Sequence, residues 1–151
     1  MMHTKLIDKE IKYIGSQLAP HWIYKNFKLQ GDAIVAFIGE CEVALTEMVD
    51  IEDVINNEPI YSKSMLSFIT EQFNVNLVEG VFRQRLLICI IKELLEERGD
   101  FVVRIGDDLM IDGRKLSVSI ATKSTTSILI HTGLNILSEG APVKASGLTS
   151  E

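Results

Sequence analysis

Apolar positions along this chain follow two rhythms, one near 3.6 residues and one of two, and the switches between them mark out elements. Lys5–Ile14 alternates weakly, which predicts a short strand or hairpin ending at Gly15-Ser16. Gln17–Phe27 carries Leu18, Trp22 and Ile23 at helical spacing, with Pro20 tolerable only in the first turn. Gly31-Asp32 signals a turn, and Ala33–Ile38 is a nearly continuous apolar run, as in a strand buried on both faces, broken by Gly39-Glu40-Cys41. Ser64–Phe73 places Met65, Phe68, Ile69 and Phe73 in the pattern of an amphipathic helix. Leu77–Arg98 is the longest element. Val81, Phe82, Leu86, Cys89, Ile90 and Leu94 line one side of it and Leu87, Ile91 and Leu95 widen the stripe, which predicts a central helix covered by a sheet.

Gly99-Asp100 ends that helix. Beyond it, Phe101–Ile105 reads as a strand. Leu109–Ile111 and Lys115–Lys123 flank Asp112-Gly113, the strongest short signal for a tight hairpin. Ser127–Ile136 is the last clear strand, and residues 138–151, rich in Gly, Ser, Ala and Pro, read as a loosely held tail. Residues 42–62 are acidic and read as a solvated loop with a short helix near Ile51–Asn56, or as an acidic docking surface. No internal repeat is visible. This order predicts an α+β fold, a mostly antiparallel sheet packed against helices on one face, in a single domain spanning 1–151.

Composition narrows the function. Hydrophobic residues make up 46% and charged residues 24% of the chain, as in a packed globule. A formal charge of −6 argues against nucleic acid as a partner. No apolar run, Leu86–Ile91 included, approaches the ~20 residues needed to cross a bilayer. The opening MMHTKLIDKE is too charged for an export signal. Cys41 and Cys89 lack metal-ligand spacing, and Cys89 reads as a small buried hydrophobe. A reduced, cytoplasmic protein without a membrane partner is expected.

Alternation along the last two strands assigns Ser117, Ser119 and Ala121 to one face and Ser127, Leu129, His131, Gly133 and Asn135 to another. Each strand then buries an apolar face and shows a small polar one, either a floor for a ligand or a wetted surface. Lys115 follows the Asp-Gly turn and opens a strand, so its ammonium can swing over that floor, a point charge suited to carboxylate or phosphate. Of the adjacent acids Asp107 and Asp108, one can join it, through a metal or a nucleotide hydroxyl. His131 can carry a proton or simply hydrogen-bond its neighbours. Arg83 and Arg85 lead into an apolar segment and need partners, either acids such as Glu79 or a bound anion. No nucleophile elbow, Walker loop or dinucleotide glycine fingerprint is present.

The segments SQLAPHWIY (16–24), GDAIVAFIGECEV (31–43), RQRLL (83–87), GDDL (106–109), KLSVSIATKS (115–124) and IHTGLNI (130–136) resemble a mainly archaeal family, the domain-of-unknown-function family 366. The C-terminal half is also similar to the biotin and lipoate protein ligases and octanoyl transferases. Asp108-Leu109, Gly113-Arg114-Lys115-Leu116 and Gly133-Leu134-Asn135 carry that likeness. It implies that Lys115 contacts an acyl carboxylate or adenylate phosphate, with ATP as the cofactor in reach. The expected substrate-binding set is Ser117, Ser119, His131, Gly133, Asn135, Asp107, Asp108, Arg83, Arg85 and Gln17, with no metal ligand, and the partner is a small carboxylate or nucleotide. Residues 39–48 read GECEVALTEM where those ligases carry a Gly/Arg-rich loop. Ala145-Ser146-Gly147 stands where the transferases place a cysteine. The other reading is a non-catalytic binding or interaction module on the same scaffold, with an exposed sheet edge available for homo-oligomer formation.

Overall fold

The computed structural model describes residues 1–44, 47, 59–137 and 147–148. In chain order the strands are β1 (His3–Leu6), β2 (Ala33–Val43), β3 (Ile60–Phe73), β4 (Val103–Ile105), β5 (Asp108–Ile111), β6 (Arg114–Lys115), β7 (Ser117–Lys123) and β8 (Ser127–Leu137). The helices are α1 (Trp22–Phe27) and α2 (Leu77–Glu97). Five strands make the main sheet in the order β1-β2-β3-β8-β7, and β4-β5-β6 make a small second one. β1 pairs parallel to β2, Tyr13 bridges Cys41 in the same sense, and the other strand pairings among the described residues are antiparallel, so the α+β class expected from the sequence holds.

Residues 64–73 are strand, not the amphipathic helix their spacing predicts. Met65, Ser67, Ile69 and Glu71 of β3 point to one face of the sheet, while Leu66, Phe68 and Thr70 point to the other. Ile69 joins one core cluster, and Leu66 and Phe68 pack against another. A strand apolar on both sides loses its period of two, and the residue spacing then imitates a helix. The break expected at Gly39-Glu40-Cys41 is a bulge, past which β2 runs on to Val43. Gly39 is obligatory there, because a Cβ would sit 2.0 Å from the carbonyl oxygen of Ile11. That approach belongs to residues 7–13, which follow β2 through Ile7 N–H to Ala36 O, Ile11 N–H to Ile38 O and Tyr13 N–H to Glu40 O.

α1 is shorter than expected. Pro20 precedes it, and His21 at its N-terminus adopts φ 66°. Ile23 of α1 packs with Tyr13, Val35, Phe37, Met65 and Ile69 on one sheet face. α2 covers the other face, where Ile88 and Leu95 meet Leu109, Leu116 and Leu134. The helix expected to be central and covered by a sheet meets the sheet with one side only. α2 buries Gly80, Gln84, Ile88, Ile91 and Leu95, whereas Val78, Phe82, Leu86, Ile90 and Leu94 stand in solvent. Gly80 decides which side faces in, since a Cβ there would lie 2.7 Å from Ile128. Cys89 is only half-buried and Cys41 is the fully buried thiol. No helix among the described residues is long and apolar enough to cross a membrane. The helix expected near Ile51–Asn56 lies outside the described residues, as does most of the tail. Ile60–Ser62, read as loop, belong to β3.

Candidate functional site around Lys115

Asp112 and Gly113 adopt φ of 51° and 75°, the paired positive values of a tight hairpin turn, and join β5 to β6. Lys115 opposes Met110 on this hairpin. The strand predicted over Lys115–Lys123 divides at Leu116, whose N–H bonds Leu109 O and whose carbonyl accepts from Asn135 N–H. The hairpin is thereby sewn to the main sheet directly behind Lys115. The lysine side chain is half exposed, and its Nζ lies 4.0 Å from Asp108 Oδ2.

Asp108 titrates above the usual carboxylate range. Its burial is the chief cause; Lys115 and Arg85 oppose the rise and Asp107 adds to it. Arg85 stands close by, with a guanidinium nitrogen 3.8 Å from where a Gly106 Cβ would be. Asp107 Oδ2 accepts from Gln84 Nε2 at 3.2 Å, and the same amide donates to Ser119 Oγ at 2.9 Å. Asn135 Nδ2 reaches the Lys115 carbonyl at 3.5 Å. Lys115, Asp107, Asp108, Arg85 and Asn135 therefore gather where the hairpin meets the end of β8.

The remaining expected residues do not share that place. Register pairs Ser117 with Leu134 and Ser119 with Thr132, which puts both serines beneath α2. Ser117 is fully buried and its Oγ accepts from Leu109 N–H. Ser119 Oγ bonds Thr132 Oγ1 and His131 O. His131 and Gly133 open onto the opposite face, so the common polar floor expected from alternation is split by the sheet itself. There His131 is buried against Tyr13 and touches Ser67 Oγ, and Met65 lies over Gly133. Burial pushes His131 down to about 3. Arg83 takes the internal partner, Glu79 Oε1 at 3.1 Å. Gln17 is buried and holds its own turn by bonding Lys12 O and Ile14 N–H.

Sequence reasoning missed Gln84, a buried polar link between the acids and the sheet. Gln84 shares a side of α2 with Gly80, Ile88, Ile91 and Leu95, but that spacing alone does not distinguish the buried side from the exposed apolar one. Sequence reasoning also missed an open cleft of about 420 Å³ at the far end of β3, lined by His21, Tyr24, Leu29, Gln30, Gly31, Glu71 and Phe73. Glu71 in its wall is a structural anchor, accepting from His21 N–H and Ser127 Oγ–H. Among the described residues no group of three or more His, Cys, Asp or Glu side chains could hold a metal ion.

A weakly paired, half-exposed ammonium on a fixed hairpin can neutralise an incoming carboxylate or phosphate, since exposed ion pairs of this kind contribute about 0–1 kcal/mol and exchange readily. The family profile described as a domain of unknown function, DUF366, matches residues 2–151. The uncharacterized protein MJ0805 of Methanocaldococcus jannaschii is 39% identical over 153 residues, 97% of this chain and 69% of that protein. A protein of unknown function from Pyrococcus horikoshi superposes with a TM-score of 0.94 at 43% identity, covering 98% of this chain and 81% of that one. The biotin acetyl coenzyme A carboxylase synthetase of Helicobacter pylori, solved with biotinylated ATP, gives a TM-score of 0.59 at 14% identity, over 97% of this chain and 68% of that one. Lipoate protein ligases align in the same way, a likeness of fold.

Proposed function

The chain belongs to the DUF366 family, and from that membership and the geometry at the β5–β6 hairpin we propose that it binds a small carboxylate, or its adenylate, beside Lys115. The observation that carries this reading is the Lys115 ammonium itself, half exposed at a tight turn and, among the described residues, approached by a carboxylate only at Asp108, 4.0 Å away. Developing charge on an acyl or phosphate oxygen is stabilised by a cation already in place. Arg85 adds a second positive group, and Asp107 or Asp108 supplies an acceptor for a hydroxyl. Solved proteins of this fold, with biotinylated ATP in one and ATP in another, support a carboxylate and its nucleotide as the ligand class.

A second reading has its own observation. Met65 over Gly133 and Tyr13 over His131 fill the sheet face on which a ligand would lie, which favours a binding or interaction module that keeps the scaffold without the chemistry. Thermal shift with ATP, biotin, lipoate, octanoate and amino acids separates the two, comparing the native chain with Lys115→Ala. Ligand at 100 times its Kd stabilises the native chain by about 2.7 kcal/mol, and the variant should lose that shift. Pyrophosphate released from ATP on adding an acid would establish adenylation. An unchanged shift in Lys115→Ala refutes the site, and a panel in which no ligand shifts the midpoint selects the second reading.

A further inference from the structure

A buried carboxylate without a counter-charge lines the cleft at the far end of β3. Glu71 is 3% exposed, and the hydrogen bonds it accepts come from neutral donors, the His21 N–H and the Ser127 hydroxyl. Among the described residues no Lys, Arg or His side chain forms an ion pair with it. Buried carboxylates are ordinarily paired with a cation, because neutral donors alone leave part of the desolvation cost unmet. The group is held still: His21 N–H approaches both oxygens, at 3.0 and 3.2 Å. The rest of the lining suits a positive charge. His21, Tyr24 and Phe73 bring three rings to it, the first and last with centroids 5.9 Å apart and planes inclined by 22°. A ring face attracts a cation through its quadrupole, and Tyr24 already does so within the chain, with Lys28 Nζ 5.5 Å from its centroid. Tyr24 is 46% exposed, so the cleft is reached from solvent. Its volume of about 420 Å³ falls in the range of small-ligand sites.

We propose that this cleft binds a small organic cation of the alkylammonium class, its charged head against Glu71 and its apolar stem along His21, Tyr24 and Phe73. The lining argues against the other ligand classes. An anion would meet the repulsion of the carboxylate, and a neutral molecule would bury that carboxylate further without compensating it. A metal ion needs several hard or nitrogen ligands, and among the described residues no group of three or more His, Cys, Asp or Glu side chains could hold one. An alkylammonium supplies the missing charge in a compact head, and its methylene stem gains from the ring faces. The site stands apart from the one at Lys115. Glu71 pairs with Leu129 near the start of β8, whereas Lys115 lies beyond Ser117, which pairs with Leu134 toward the other end of that strand. Either reading can fail without the other.

Titration of the isotope-labelled full chain with n-butylammonium chloride at constant ionic strength, followed by amide NMR shifts, tests it. The shifts should saturate in the millimolar range and centre on Tyr24, Gln30, Gly31 and Phe73. The neutral isostere n-butanol should leave those amides in place. Glu71→Gln keeps an acceptor for His21 N–H and removes the charge, and it should raise the dissociation constant by about tenfold or more. Tyr24→Ala, at an exposed position, should raise it about two- to fivefold. An amide spectrum unchanged away from the cleft shows that each variant is folded, and if Glu71→Gln does not fold, Tyr24→Ala carries the test. The absence of a saturable shift with butylammonium overturns the proposal. So do equal shifts with n-butanol, or native affinity in the folded variants.

Discussion

The ring of Tyr13 lies flat on that of His131, centroids 3.8 Å apart and planes within 8° of parallel. Tyr13 reaches there from residues 7–13, the segment that runs beside β2, and His131 from the middle of β8, so the stack ties an irregular edge to the sheet. Neither ring is more than 4% exposed. Burial raises the Tyr13 hydroxyl above its usual range, and Cys41 beside it adds to the rise. The thiol of Cys41 is itself pushed up to about 12, by burial first and then by Glu40 and Glu42. These groups stay neutral and pack; they are not a proton relay.

His131 makes stability depend on pH in one direction. In the unfolded chain it binds a proton below 6.5, and in the folded protein only near 3. Between those values the unfolded state holds more protons, so stability rises with pH through the window and is complete above it. Each pH unit below 6.5 should cost up to about 1.4 kcal/mol. Urea denaturation at pH 7, 6 and 5 checks this. His131→Phe should flatten the slope in that range, and an equal slope in the variant would assign the titration elsewhere.

Two glycines should respond differently to one added methyl group. At Gly133 a Cβ would meet the Met65 sulfur at 2.2 Å, the far part of a flexible side chain. At Gly39 it would meet backbone, the Ile11 carbonyl at 2.0 Å. Gly133→Ala is expected to cost about 1–3 kcal/mol, and in a double-mutant cycle with Met65→Ala most of that cost should vanish as coupling, the Met65→Ala loss itself remaining. Gly39→Ala should cost more and find no rescue at Ile11, because a carbonyl cannot be trimmed. Equal losses measured by chemical denaturation would contradict the distinction.

The legible parts of the sequence were those with local chemistry. Asp112-Gly113 specifies its turn through two positive φ values, and the run from Leu77 specifies its helix by length and apolar spacing; the Asn76 cap, whose Oδ1 accepts from Glu79 N–H, was not read from the sequence. What failed needed register. Ser119 and His131 each alternate correctly within their own strand, yet pairing Ser119 with Thr132 sends the serine beneath α2 and the histidine to the other face. No periodicity within one strand carries that information. The same gap hid the inward side of α2: its composition offers two apolar stripes, and only the closeness of Gly80 to Ile128 says which one is buried.

Gln84 should matter out of proportion to its chemistry. It is 3% exposed, and its amide serves both Asp107 and Ser119. Gln84→Leu keeps the volume but strands a carboxylate and deprives Ser119 Oγ of a donor, an expected loss of about 1–3 kcal/mol. Ser119→Ala removes the other end. In a double-mutant cycle the two should couple by about 0.5 kcal/mol or more, and simple additivity would mean that the bond contributes nothing.

Asp108 reports directly on whether Lys115 is engaged with it. Its carboxyl stands high because burial outweighs the pull of Lys115 and Arg85, the lysine pulling harder. Lys115→Met should therefore raise the Asp108 pKa further, and Arg85→Met should raise it less. A carboxyl whose folded value exceeds its unfolded one, ordinarily 3.8, contributes stability that is fully present below that point and is lost as pH rises through the folded value. Lys115→Met thus makes the protein lose more stability on going from pH 4 to 7, and adding Asp108→Asn removes the extra loss. Carboxyl-carbon NMR titration gives the pKa, and denaturation midpoints at the two pH values give the linkage. If Asp108 titrates identically with and without the lysine, the 4.0 Å approach is no electrostatic pair, and Lys115 is freer for an external anion than the geometry alone indicates.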